Sequence, residues 1–317
     1  MIPRSRRPGR AVLVEARAKL NLGLAVGPRR ADGFHELATL FQSVTLADTL
    51  EITPRRAGFD LRVRHENAAL RGRPPRAQRG SVPRGPRNLV LRAARLLARR
   101  AGIEGGARFR LIKRIPARAG LGGGSADAAA ALAGLAALHG IRLSPRVKLA
   151  LAAELGSDVP FAITGGTALG TGRGEALSPL ALARPFRAVI AVPAWNIPTA
   201  RAFATMDRDK KHLTLWRSNL RFAQVLGRDR LIPERALRLG NSFEASLGSR
   251  RVFFDSLSAR LRAAGVSEVR MTGSGSAVFG VVPRGTRGSA LVARFHGTER
   301  LYLVRSASRG IQLMVRS

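Results

Sequence analysis

The chain has 317 residues, 45% of them hydrophobic and none of them cysteine, with a formal net charge of +35 at pH 7. That length suggests about two domains, because single cores stop growing near ~250–300 residues, and the apolar content excludes bulk disorder. The absence of cysteine excludes a disulfide framework, a thiolate nucleophile and a thiolate metal site. No apolar run approaches the ~20 residues of a membrane helix, and "AVLV" after the basic "MIPRSRRPGR" is too short for a signal-peptide core. A soluble, cytoplasmic protein without a membrane partner is expected.

The elements follow in chain order. "RAVLVEARAKLNLGLAVG" is strand material, with Val12, Val14, Leu20, Leu22 and Leu24 at near-alternating positions. "PRRADGFHEL" supplies turn residues, and "ATLFQSVTLADTLEITP" returns to a strand pattern. Leu70–Arg87, rich in Pro, Gly and Arg, reads as a long mobile surface loop. "NLVLRAARLLARRAG" has helical spacing, with Asn88 as N-cap and Gly102 as stop. "GARFRLIKRIP" alternates as a strand and runs into a glycine cluster and an alanine-rich helix over Ala126–Leu138, with Ser125 able to cap it.

"SPRVKLALAAELG" is a second capped helix, with Pro at its first position and Gly156 at its end. Residues 157–180 mix turn and strand, and "FRAVIAVPAW" is a buried strand beside a domain boundary near Leu180. A basic segment over Arg201–Arg238, a helix over Ser249–Ala264 and a strand–glycine turn–strand unit at "EVRMTGSGSAVFGVV" complete the pattern. Strands and helices alternate without a regular βαβ rhythm, which argues for an α+β fold with domains 1–180 and 181–317.

A charge of +35 invites a polyanion, and nucleic acid is the obvious one. The arginines are scattered, however, and only 5% of residues are aromatic, so the clustered stacking platforms of nucleic-acid modules are missing. Charge alone supports only non-specific binding. Five of the 55 basic residues are lysines (Lys19, Lys113, Lys148, Lys210 and Lys211), which fits compositional drift toward arginine over all surfaces. No specific nucleic-acid partner is expected.

"PARAGLGGGSADAAAAL" carries the chemistry. A helix N-terminus presents unpaired N–H groups and a partial positive charge, and glycines before it let the backbone curl around an anion. A P-loop needs Lys after its last glycine, whereas "GSAD" follows here; a dinucleotide fingerprint fails because Ser125 occupies its sixth position. On these residues alone, an anion cradle and a plain turn before a core helix both stand.

The segment resembles the second motif of the GHMP kinases, and "MTGSGSAVFG" resembles their C-terminal glycine motif. "ARAKLNLGLAVGPRRADGFHELATLFQSVTLAD" is similar to the substrate segment of the branch that acts on a cytidine diphosphate-linked methylerythritol. The resemblance spans nearly the whole chain. It implies a two-domain fold, a ribosomal-protein-like α+β N-terminal domain and a ferredoxin-like α+β C-terminal domain, with the active site in the cleft between them. It implies phosphoryl transfer from ATP, with Mg²⁺, to an alcohol of a small-molecule substrate, by a monomer or homodimer without a tightly bound cofactor. ATP would lie on Pro116, Gly120, Leu121, Gly122 and Gly123, then Gly124, Ser125 and Ala126, and on Gly273, Ser274 and Gly275 of the second motif.

By the same resemblance Asp158 in "LGSDVPF" is the base for the substrate hydroxyl and Lys19 pairs with it. Asn21 stands near the methylerythritol hydroxyls, His35 at the cytosine ring, Phe34 where the family usually has tyrosine, and Thr199 and Phe203 on the second wall. No metal-ligating carboxylate cage is expected, Ser125 being the hydroxyl nearest Mg–ATP. "GNSFE" departs from the family's Asn-Asp-Leu-Glu but retains Asn241 and Glu244, so a helix start is expected there. The residues leave two rivals: another GHMP kinase of homoserine or mevalonate type, against which "GFHEL" and "NIPTARAF" argue, and a nucleic-acid binder on a degenerate kinase fold, against which the retained motifs argue.

Overall fold

The computed structural model describes residues 11–72, 82–83, 85–209, 213, 216 and 230–316. Most of the Leu70–Arg87 loop and much of the Arg201–Arg238 segment lie outside the described residues. The N-terminal half is built on a mixed sheet. Two long strands, β1 (Ala11–Arg29) and β2 (His35–Arg55), form an antiparallel hairpin about the "ADGF" turn. On one side of it lie β4 (Gly106–Lys113) and then β3 (Phe59–His65), parallel to β4. β5 (Thr167–Thr171) pairs with the start of β2 and with β6 (Ala176–Leu180).

Helix α1 (Leu89–Ala101) forms as its sequence dictates. The Asn88 side chain accepts from the Val90 N–H, and Gly102 closes the helix in the left-handed region, at φ 61°. Helix α2 (Gly123–Leu138) is apolar on every side, the pattern of a helix buried all round. Its alanines let it lie close to the sheet: a Cβ on Gly134 would stand 2.4 Å from Ile52 and 2.9 Å from Val14. Leu132 and Leu135 are wholly buried there and contribute about 1.5–3 kcal/mol each. Helix α3 (Pro145–Leu155) starts on the Ser144 cap with Pro at its first turn. A one-turn helix not anticipated from sequence, α4 (Val159–Thr164), follows it.

The second sheet is antiparallel, in the order β10 (Arg300–Arg305), β7 (Arg187–Val192), β9 (Val278–Val282), β8 (Ser267–Met271). Numbered within this half, that order is 4-1-3-2, the split βαβ arrangement of ferredoxin-like folds. Helices α5 (Thr199–Asp209), α6 (Pro233–Leu237), α7 (Arg251–Ala263) and α8 (Gly288–Arg294) accompany it. The last strand, β11 (Ile311–Arg316), returns to the first sheet and pairs with β1. The halves are also stitched where Leu24 N–H donates to the Gly240 carbonyl and Ala307 N–H to that of Ser43. Among the described residues no helix is long and apolar enough to cross a membrane.

Candidate active site

The two glycine segments meet. Ala277 N–H donates to the Ala119 carbonyl (3.1 Å), and Gly120, at φ +79°, passes so close to Thr272 that a Cβ there would stand 2.0 Å from its carbonyl oxygen. Helix α2 begins at Gly123, three residues before the start read from sequence, and its cap is Gly122 in the left-handed region, not Ser125. The reason lies underneath: a Cβ on Gly122 would stand 2.8 Å from the Lys19 side chain. Ser125 therefore sits in the first turn. The N–H groups of Gly123, Gly124 and Ser125 have no acceptor within the helix, while that of Ala126 already donates to Gly122.

Lys19 rises from β1 beneath this loop and is nearly buried. Its Nζ donates to Asn21 Oδ1 at 2.6 Å and lies 3.5 Å from Asp158 Oδ2. It also stands 5.5 Å from the centre of the Phe41 ring, which stacks on Phe161 of α4. Asp158 occupies the position before α4 where a carboxylate ordinarily caps, yet its side chain makes no capping bond. Asn21 links three elements: its oxygen also accepts from Gly273 N–H (2.9 Å), and its amide donates to Thr39 (2.8 Å). It holds Lys19 and the second glycine segment in place.

On the α5 wall of the cleft, His35 is buried with Nε2 2.8 Å from Asp207 Oδ1 and its ring stacked on Phe203 at 5.0 Å. Thr199, Phe203 and Asp207 follow at four-residue steps along one face of α5. Thr199 and Ser274 exchange a hydroxyl hydrogen bond at 2.9 Å. Phe34 is half exposed, with the Arg173 guanidinium 4.8 Å from its ring centre. A single cleft of about 630 Å³ is lined by all the expected site residues except Ala126 and Gly275. Ala126 turns into the core, and the Gly275 N–H is spent on the Thr272 carbonyl.

"GNSFE" keeps its helix start, as a 3₁₀ turn: Asn241 caps Phe243 N–H and donates to the Met271 and Gly273 carbonyls, and Glu244 accepts from Met271 N–H. Burial raises the Glu244 pKa above the ordinary carboxylate value, against the Met271 hydrogen bond. Ser242 accepts from Val26 N–H and so ties β1 to this turn.

One cluster escaped sequence reasoning. Lys113, at the end of β4, donates to Asp48 of β2 and to Asp127 of α2 (2.7 Å), all three being buried. Asp48 also accepts from the Ile115 N–H at 2.8 Å. Burial works to lower the Lys113 pKa, but Asp127 and Asp48 outweigh it and hold the ammonium above the ordinary lysine value. Burial, with the charge of Asp48 adding to it, raises that of Asp127 well above the carboxylate range despite Lys113. Asp127 Oδ1 is buried without a hydrogen-bond partner.

These features are those of a phosphotransferase of the GHMP class, and residues 88–166 match the family model described as GHMP kinases N terminal domain. The chain is 36% identical to 4-diphosphocytidyl-2-C-methyl-D-erythritol kinase of Pelotomaculum thermopropionicum, over 91% of this chain and 95% of that one. The corresponding kinase of Leifsonia xyli is 40% identical, but the match spans 63% of this chain and 62% of the relative's length. A crystal structure of 4-(cytidine 5'-diphospho)-2C-methyl-D-erythritol kinase superposes with a TM-score of 0.67 at 35% identity, covering 93% of this chain and 99% of that one. The chain belongs to the 4-diphosphocytidyl-2-C-methyl-D-erythritol kinase family. Membership makes ATP the expected phosphoryl donor and a small molecule the acceptor.

Proposed function

We propose that the protein transfers the γ-phosphoryl group of ATP to the 2-hydroxyl of 4-diphosphocytidyl-2-C-methyl-D-erythritol, giving the 2-phosphate and ADP. The observation that carries this reading is the shared cleft: the glycine loop, the Lys19–Asp158 pair and the His35–Phe203 stack line one cavity. The hydroxyl oxygen attacks the γ-phosphorus, the bond to the β-phosphate oxygen breaks, and the hydroxyl proton passes to the Asp158 carboxylate. Such transfer rests on positioning and charge stabilisation. The N–H groups at the start of α2 face the charge that ATP brings, and Lys19, whose ammonium is a compact point charge, steadies both Asp158 and the attacking oxygen.

Magnesium would enter with ATP and would neutralise part of the phosphate charge. The Ser125 hydroxyl is an oxygen donor of the kind that ion would accept. At the substrate end, Asp207 fixes the His35 ring, while Phe34 and Phe203 offer flat faces to a pyrimidine. Phe34 lacks the hydroxyl of a tyrosine, so it supplies stacking alone. ADP release measured with the cytidyl alcohol, mevalonate and homoserine side by side tests the reading. Turnover confined to the cytidyl compound is expected; turnover of either other alcohol instead would transfer the protein to another GHMP specificity.

A further inference from the structure

A second cavity, of about 430 Å³, lies outside the catalytic cleft and shares no lining residue with it. Five arginines line it (Arg17, Arg184, Arg187, Arg284 and Arg305), and no carboxylate does. Two of the five are engaged: Arg184 pairs with Glu234 at 2.6 Å, and Arg17 donates to Gln312 and lies 4.0 Å from Glu15. Arg187, Arg284 and Arg305 have no ion pair among the described residues and stand together on one cavity.

The placement of Arg187 and Arg305 is costly in itself. They stand directly opposite one another on the antiparallel strands β7 and β10. Like charges at such positions repel, and a sequence indifferent to the site would neutralise one of them. Arg187 is also partly buried: it donates through Nη2 to the Thr286 carbonyl, while its Nε is buried with no partner. A desolvated guanidinium donor without an acceptor is a strong demand for an anion.

The cavity floor suits a small ligand. Phe186 and Val282 give it an apolar base, and its position is fixed by the seam between the sheets, where Ser306 N–H donates to Phe186 and Ala307 N–H to Ser43. Its volume falls within the ~300–1,000 Å³ of small-molecule sites, and guanidinium forks match phosphate oxygens in pairs. We propose that Arg187, Arg284 and Arg305 form a binding site for a small soluble anion of the diphosphate class, separate from the catalytic cleft. Three unpaired guanidiniums favour a di- or trivalent anion over a monovalent one.

Calorimetric titration with inorganic pyrophosphate tests this, with the catalytic cleft filled by a non-hydrolysable ATP analogue so that the glycine loop is unavailable. The wild-type protein should bind one equivalent. Arg284→Gln/Arg305→Gln, two exposed positions, should weaken that binding tenfold or more while kinase turnover stays unchanged, which reports an intact fold. Arg62→Gln/Arg64→Gln on β3 removes the same charge elsewhere and should leave the affinity as it was. Equal weakening by both double variants would reduce the effect to the field of a +35 protein and overturn the proposal, as would the absence of a saturable isotherm.

Discussion

Two lysines flank the start of α2, and their surroundings differ in one decisive respect. Lys19 lies under Gly122 and faces Asp158, whose side chain is one-third exposed in the cleft. Lys113 lies under Gly123, where a Cβ would stand 2.9 Å from its Nζ, and is closed between Asp48 and Asp127, both buried. One ammonium faces a carboxylate that solvent reaches; the other faces two that it does not. In a chain where 50 of 55 basic residues are arginine, both sites need a head group small enough to fit beneath backbone, which a guanidinium fork is not. The same residue type thus stands at the proposed transfer site on one side of the loop and in a buried carboxylate pair on the other.

The largest expected effect falls on the open side. Asp158→Ala should lower kcat about 10²–10⁴-fold, the range for loss of a positioned proton acceptor, with the KM for ATP little changed. Steady-state kinetics checks it; full activity in the variant would remove Asp158 from the mechanism. On the sealed side, Lys113→Met leaves two buried carboxylates without their cation and should destabilise the fold by about 3–5 kcal/mol. Denaturant unfolding measures that loss, and adding Asp127→Asn to the same chain should recover part of it. If Lys113→Met were as stable as the parent, the two lysines would not differ as described.

The exchange of head groups sharpens the contrast. Lys113→Arg forces a larger planar group into a closed space and should cost about 1–3 kcal/mol, the usual overpacking penalty. Lys19→Arg opens onto the cleft, so its melting midpoint should move less while its kcat falls more. The opposite pairing of stability and rate losses would reverse the assignment of the two sites.

How much of this was visible beforehand follows from range. The glycine loop, the Asn88 and Ser144 caps and the strands β1, β2, β4 and β7 were legible because their signals lie within a few residues, whereas β3, β10 and β11 were not read. The pairing of Lys19 with Asp158 was reached through family likeness, since 139 positions of chain separate the two and no local pattern joins them. The Lys113 cluster was missed because its partners lie 65 and 14 residues away. Yet lysine is rare in this chain, five of 55 basic residues, which marks Lys113 as it marks Lys19, and an aspartate inside an alanine run is a second local signal. Asp207 was missed although it stands one turn beyond Phe203, where helical spacing places it beside whatever Phe203 touches. The helix start was misplaced because Ser125 looks like a cap, and only the tertiary approach of Lys19 makes Gly122 the turning point.

The smallest effect is a dependence on pH. The carboxyl of Asp127 has a higher pKa folded than unfolded, so between those values the folded chain holds more protons. Stability then falls as pH rises from the ordinary carboxylate value through the raised one, and levels off above it, at no more than about 1.4 kcal/mol per pH unit. Lys113 has its pKa raised too, but its contribution is present throughout that window and is lost only above the ordinary lysine value. Glu244 is shifted in the same direction as Asp127, so the parent slope alone does not assign the proton. Asp127→Asn keeps the shape and removes one titration, while Lys113 retains Asp48. Urea midpoints across pH should show the parent losing stability with rising pH more steeply than the variant, with the difference confined to that window. Parallel curves would mean that Asp127 does not hold the extra proton and stands beside Lys113 as a carboxylate throughout that window.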